Sequence, residues 1–135
     1  MSHSSERIGN HLKSDFCCPC CGVFGVAEDS IERLLQAEKI AGFDFKILSS
    51  YRCFSYNKTL GKKETSSHVV GNAFNIDCSI TDKNGNKCLN KKFSFLILNA
   101  CMNAGFTRIG LNTEKFFIHV DDDVKKRQNQ FFLFR

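Results

Sequence analysis

The sequence contains no tryptophan, a single proline and only two tyrosines. One proline and nine glycines among 135 residues exclude collagen-like, proline-rich and repetitive architectures. No apolar run approaches the roughly 20 residues that cross a bilayer, so no membrane partner is expected. The opening stretch, MSHSSERIGNHLKSD, is polar and lacks the apolar centre of an export signal. Synthesis in a cytoplasm is expected, with any access to a cell wall or periplasm depending on a separate release such as viral lysis. Basic residues form no stripe interleaved with aromatics, only short clusters at Lys91-Lys92 and Lys125-Lys126-Arg127. Nucleic-acid binding therefore gains no support.

What is present fits one globular domain spanning 1–135, with residues 1–15 as a loose N-terminal arm. Apolar residues make up 42% and charged residues 24%, a balance that argues against disorder. The length is enough to bury a core without disulfides or metals. Fourteen phenylalanines must carry the aromatic part of that core. The net charge of +5 suits an anionic partner such as cell wall, or simply keeps a monomer soluble.

Eight cysteines need separate weighing. Without an export signal, free thiols are expected rather than disulfides. The run Cys17-Cys18-Pro19-Cys20-Cys21-Gly22 holds two C-x-x-C spacings, which can grip zinc. Cys17 and Cys20 are candidate structural ligands on that spacing. No second C-x-x-C follows, so further ligands would have to come from Cys53, Cys78 or Cys88 through folding.

Periodicity gives a coarse order of elements. Ile31, Leu34, Leu35 and Ile40 predict a helix over 26–41, capped by Asp29 or Ser30 and ended by Gly42. Alternation of Phe43, Phe45 and Ile47 with Asp44 and Lys46 predicts a strand over 43–52. Residues 54–67 are polar and read as a loop. A strand over 73–80, a turn at 82–86, a helix over 92–104 ended by Gly105, and strands at 107–111 and 116–121 follow. Phe131-Phe132-Leu133-Phe134 reads as a last short strand whose aromatics pack on the core or an edge. The class is α+β, with two main helices on a small antiparallel sheet.

Chemistry concentrates in two short segments. His68 follows the polar loop, and Asn75 and Asp77 come seven and nine residues later. His119 and Asp121 sit in the strand Phe117-Ile118-His119-Val120-Asp121. Residues two apart on a strand share a face. If the two strands met, two imidazoles, an amide and carboxylates would share one pocket. Such a set can hold a catalytic zinc with an open position, while a nearby carboxylate moves protons.

Taken together, Ser49-Ser50-Tyr51-Arg52, Tyr56-Asn57, Ser66-x-His68-x-x-Gly71-x-Ala73 and Phe117-x-His119-x-Asp121 resemble the zinc D-alanyl-D-alanine carboxypeptidase family. That family includes phage L-alanyl-D-glutamate endolysins and is similar in fold to the Hedgehog signalling domain. The resemblance implies a zinc peptidase acting on a peptidoglycan stem peptide. It implies His68 and His119 as zinc ligands, with the family's third ligand, an Asp, falling on Asn75. It further implies Arg52 as the group that anchors a substrate carboxylate or steadies the oxyanion, and Ser66 as a substrate-binding neighbour. Many members carry a Glu three residues before the late His, where this chain has Phe116. Glu114 lies nearby, and Asp121 is the favoured base or supporting partner.

Asn75 leaves the reading open. An amide brings only a dipole to a dication and suits zinc less well than a carboxylate. Asp77 might serve instead, but it lies one pleat, about 6.5 Å, further along the strand. Three further alternatives stay open: Asn75 ligates weakly, the fold is kept as an inactive binding protein, or the amide was introduced to silence the site.

Overall fold

A computed structural model describes residues 6–135. The chain opens with a small hairpin, β1 (Arg7–Ile8) and β2 (His11–Leu12), and a 3-10 turn at Lys13–Phe16. Helix α1 (Glu28–Ala41), strand β3 (Ile47–Ser49) and helix α2 (Phe54–Thr59) come next. Strand β4 (Ala73–Asp77) leads into the hairpin β5 (Ser79–Thr81) and β6 (Lys87–Leu89). Helix α3 (Lys91–Ala104) and strands β7 (Arg108–Asn112), β8 (Phe117–Asp121) and β9 (Gln130–Phe134) complete it. The main sheet runs β3-β4-β8-β7-β9, antiparallel except that β9 pairs parallel with β7. The class is α+β. No helix among the described residues is long and apolar enough to cross a membrane.

The two long helices follow from their apolar stripes. Ile31, Leu34 and Ala37 of α1 and Ile97, Ala100 and Cys101 of α3 are buried at helical spacing. Both helices end on a left-handed glycine, Gly42 and Gly105, at φ 86° and 104°. Asn90 caps α3 by accepting the Phe93 N–H at 3.1 Å. The start of α1 departs from expectation: Ala27 stands at the cap position and makes no side-chain bond. Ser30 is buried instead and donates to Asp122 at 2.7 Å, and Arg33 pairs with the same carboxylate. These bonds tie α1 to the residue that follows β8.

Strict alternation gives the sheet two unlike faces. Phe74 and Ile76 of β4, Ile109 of β7, and Ile118 and Val120 of β8 point into the core with α1 and α3. Phe16 and Phe74 meet edge-on at 5.9 Å, and Phe74 meets Phe106 at 6.1 Å. Each large apolar side chain so buried contributes roughly 1.5–3 kcal/mol. The intervening residues Asn75, Phe117, His119 and Asp121 line a cleft on the other face.

Several expectations need correction. Met1–Ser5 of the supposed loose arm lie outside the described residues, but from Arg7 onward the arm is folded back. Its His11 is buried against Glu38, with Nε2 2.7 Å from Oε2. The strand expected at 43–52 shortens to Ile47–Ser49, because Phe45 N–H donates to Glu38 at 2.6 Å rather than to a neighbouring strand. The region expected to be a loop contains α2, started by the Cys53 thiol accepting Tyr56 N–H at 3.4 Å. The expected 73–80 strand divides at Cys78 into β4 and β5, and β6 pairs with β5 across the expected turn.

Candidate metal centre and cleft

Sheet register brings the distant motifs together. In the β4–β8 pairing Asn75 lies directly opposite His119, and Ala73 opposite Asp121. Directly paired strand residues have β-carbons about 4.5–5.5 Å apart, so the amide and the imidazole must meet. His68 arrives from the loop before β4, over residues 66–72. That loop is held by Arg52 N–H donating to His68 O at 3.2 Å and by buried Ser67 donating to Asp123 at 2.9 Å. Gly71, at φ 80°, lets the loop backbone pass against Gly25, where a β-carbon would lie 2.2 Å from the Gly25 carbonyl oxygen.

Each imidazole is oriented by its outer nitrogen. His68 Nδ1–H donates to Ser50 O at 2.7 Å, a carbonyl being able only to accept, so Nε2 is left for the cleft. Burial first, then the neighbouring His119 and Arg52, hold the His68 pKa well below its ordinary 6.5 and keep the ring neutral. His119 Nε2–H donates to Asp121 Oδ2 at 2.7 Å, leaving Nδ1 3.2 Å from Asn75 Oδ1. Asn75 and His68 line the same cleft. Imidazoles that bind metal usually carry such outer carbonyl or carboxylate partners.

The geometry fits a metal. The two ring centres are 5.2 Å apart at 66°. Two imidazoles on one tetrahedral zinc, with Zn–N about 2.05 Å and about 1.15 Å from nitrogen to ring centre, also place those centres about 5.2 Å apart. His68, Asn75 and His119 therefore offer two nitrogens and an amide oxygen to one point.

Asp121 is wholly buried. Burial alone would raise its carboxyl pKa, but the hydrogen bond from His119, the Asp123 N–H and Arg108 together hold it below the usual range. Arg108 Nε donates to Oδ2 at 3.3 Å and lies 3.2 Å from Oδ1. Asp121 is thus an ionised positioning residue for His119, with little spare capacity to accept a proton. Nor is its neighbourhood a solvated acidic turn, since Asp122 binds α1 and Asp123 binds Ser67. Asp77 does not replace Asn75, because its carboxylate is turned to Ser79, accepting N–H and Oγ–H at 3.0 and 2.7 Å. Glu114 is exposed in the β7–β8 turn and does not line the cleft.

Arg52 is buried in the cleft wall, donating to Ser49 Oγ at 3.1 Å and to Asn57 Oδ1 at 3.3 Å. Asn57 in turn donates to Lys63 O at 2.8 Å, which makes α2 the support for Arg52. Ser66 lines the cleft and accepts His68 N–H at 3.3 Å, so it both shapes the loop and faces the site.

The family model of peptidase M15 matches residues 22–121. The chain belongs to the peptidase M15 family. No curated protein matches it. The matched span contains His68, Asn75 and His119 of the candidate metal centre, and peptidases of this family are generally zinc dependent. The span excludes β9, yet Phe132 and Phe134 of that strand form part of the cleft wall, 6.0 and 6.5 Å from the His119 ring. These two aromatics were expected only as core or edge packing. Their spacing of two placed them on one strand face, but nothing local announced which face. Phe132 lies over Gly110, itself level with His119 across β7–β8.

The cleft encloses about 590 Å³. Five cationic side chains line it: Arg52, Lys62, Arg108, Lys115 and Lys126. Asp121 is the only carboxylate lining it among the described residues. Sequence reasoning reached Arg52 but not the other four, which share no spacing and meet only in the folded chain.

Of the two candidate structural ligands, Cys17 is turned away, its thiol donating to Lys13 O at 3.5 Å. Cys20 instead gathers with Cys18 and Cys53, their sulfur atoms all lying within 4.8 Å of one another.

Proposed function

We propose that this M15 peptidase uses zinc to hydrolyse an amide bond in peptidoglycan stem peptides, beside a residue that carries a free carboxylate. The observation that carries the proposal is the convergence of His68, Asn75 and His119, outer nitrogens already fixed, at the base of a cleft walled by cations. Zinc held there would polarise the scissile carbonyl and acidify an attacking water, the more so because Asn75 leaves the cation's charge undiminished. Arg52, buried and braced by Ser49 and Asn57, presents its guanidinium to a substrate carboxylate or to the developing oxyanion. Lys62, Lys115 and Lys126 draw an acidic peptide toward the cleft. Phe117, Phe132 and Phe134 supply an apolar wall that limits water beside His119. Asp121 fixes the His119 tautomer.

The test is incubation of zinc-loaded protein with purified muropeptides, reading new free amines. Cleavage that is lost in His119→Ala supports the proposal. Inertness of both the native chain and Asn75→Asp overturns it. One observation favours a second reading, a wall-peptide binding protein without turnover. The only carboxylate in the cleft is already committed to His119 and Arg108, which leaves no free side-chain base. That reading expects muropeptide affinity by calorimetry with no amine release.

A further inference from the structure

A second cluster of metal-ligating side chains lies outside the cleft. The thiols of Cys18, Cys20 and Cys53 sit within 4.8 Å of one another. Cys21 is in C-x-x-C spacing with Cys18 and is an exposed free thiol of the same loop, next in the chain to Cys20. All are free thiols. Tetrahedral zinc with Zn–S about 2.3 Å spaces its sulfurs about 3.8 Å apart, so Cys18, Cys20 and Cys53 need a shift of about 1 Å at most to close onto an ion, and Cys21 completes the set by turning its exposed side chain inward.

The backbone prepares the site. Cys18 N–H donates to Val23 O at 2.9 Å and Gly22 N–H to Cys18 O at 2.8 Å, so residues 18–23 close on themselves. Gly22, at φ 73°, makes the left-handed step this requires. Cys53 N–H donates to Cys18 Sγ at 3.3 Å. Amides aimed at a sulfur favour the thiolate, the form that binds metal. Cys18 is buried, whereas Cys20 and Cys21 are exposed and leave an open approach for an ion.

We propose that Cys18, Cys20, Cys21 and Cys53 bind one zinc ion as a structural tetrathiolate site that clips the 17–22 loop to the segment carrying Arg52. Cys53 follows Arg52 directly, and Ser50, whose carbonyl holds His68, is three residues before it. The clip therefore bears on the histidine cleft from behind without sharing a ligand with it.

The full chain loaded with cobalt(II) tests this, because only sulfur ligands give an intense near-ultraviolet charge-transfer band. The band is expected in the native chain, in Cys17→Ser and in the His68→Ala/His119→Ala double variant. It is expected to lose intensity in Cys53→Ser and in Cys20→Ser, each of which removes one of the four sulfur donors, and zinc retention by elemental analysis is expected to fall with it. Cys20 is exposed, so its variant folds even if Cys53→Ser does not. A native chain without the band, a band of unchanged intensity in Cys20→Ser, or an untreated chain whose mass shows a disulfide among these four cysteines overturns the proposal. Loss of peptidase activity alone bears only on the cleft.

Discussion

The histidine cleft and the cysteine cluster are built by different means. Strand register builds the first: Asn75 and His119 face each other because β4 and β8 pair at that step and no other. Loop closure builds the second, with Cys18 and Cys20 in one turn and Cys53 at the start of α2. The cleft imidazole rings already stand with their centres 5.2 Å apart, the spacing of a shared zinc, whereas the sulfurs must still draw in. A register-fixed site is defined before any ion arrives. A loop-fixed site completes its own geometry on binding, so its ion contributes to folding.

The most severe way to break the comparison is His119→Ala. Hydrolysis of muropeptides should fall by more than about a hundredfold, beyond the usual effect of an outer partner, while thermal stability changes little. Asp121→Asn comes next. It leaves His119 in place but removes the carboxylate from Nε2 and from Arg108. Zinc affinity in a chelator competition should weaken by about 10–100-fold. Unchanged affinity would mean that Asp121 does not position the ring. Asn75→Asp should act in the opposite direction, tightening zinc by on the order of tenfold, because a full negative charge replaces a dipole. Looser binding in that variant would show that the amide is not a ligand.

The smallest effect concerns His11, an imidazole built into the core rather than a cleft. Its hydrogen bond to Glu38, with that carboxylate's charge, outweighs burial and raises its pKa above the ordinary 6.5. The folded state therefore holds this proton more tightly than the unfolded chain. The stability it adds is complete below about pH 6.5 and is lost as pH rises through the raised native value. Urea midpoints measured across that range should slope downward in the native chain and flatten in His11→Ala.

The sequence was most legible where a repeating physical rule operates. The apolar stripes of α1 and α3 and their terminal glycines located both helices to within two residues. The alternation in Phe117–Asp121 placed His119 and Asp121 on one face. Legibility failed where one long-range contact decides. Helix α2 is short and polar, and a thiol rather than a hydroxyl or amide caps it. Cys17 and Cys18 have equivalent spacing, and only the backbone turn sends one outward and the other inward. The role of Asp121 depended on Arg108, thirteen residues earlier and adjacent only through β7–β8 pairing.

Gly110 carries a consequence for redesign. A β-carbon there would lie 2.3 Å from the Phe132 ring, so enlarging that position evicts the aromatic beside it. Libraries that aim to reshape specificity should vary 110 and 132 as a linked couple. Changes at Lys62 or Lys115 have no such constraint and can be sampled one at a time.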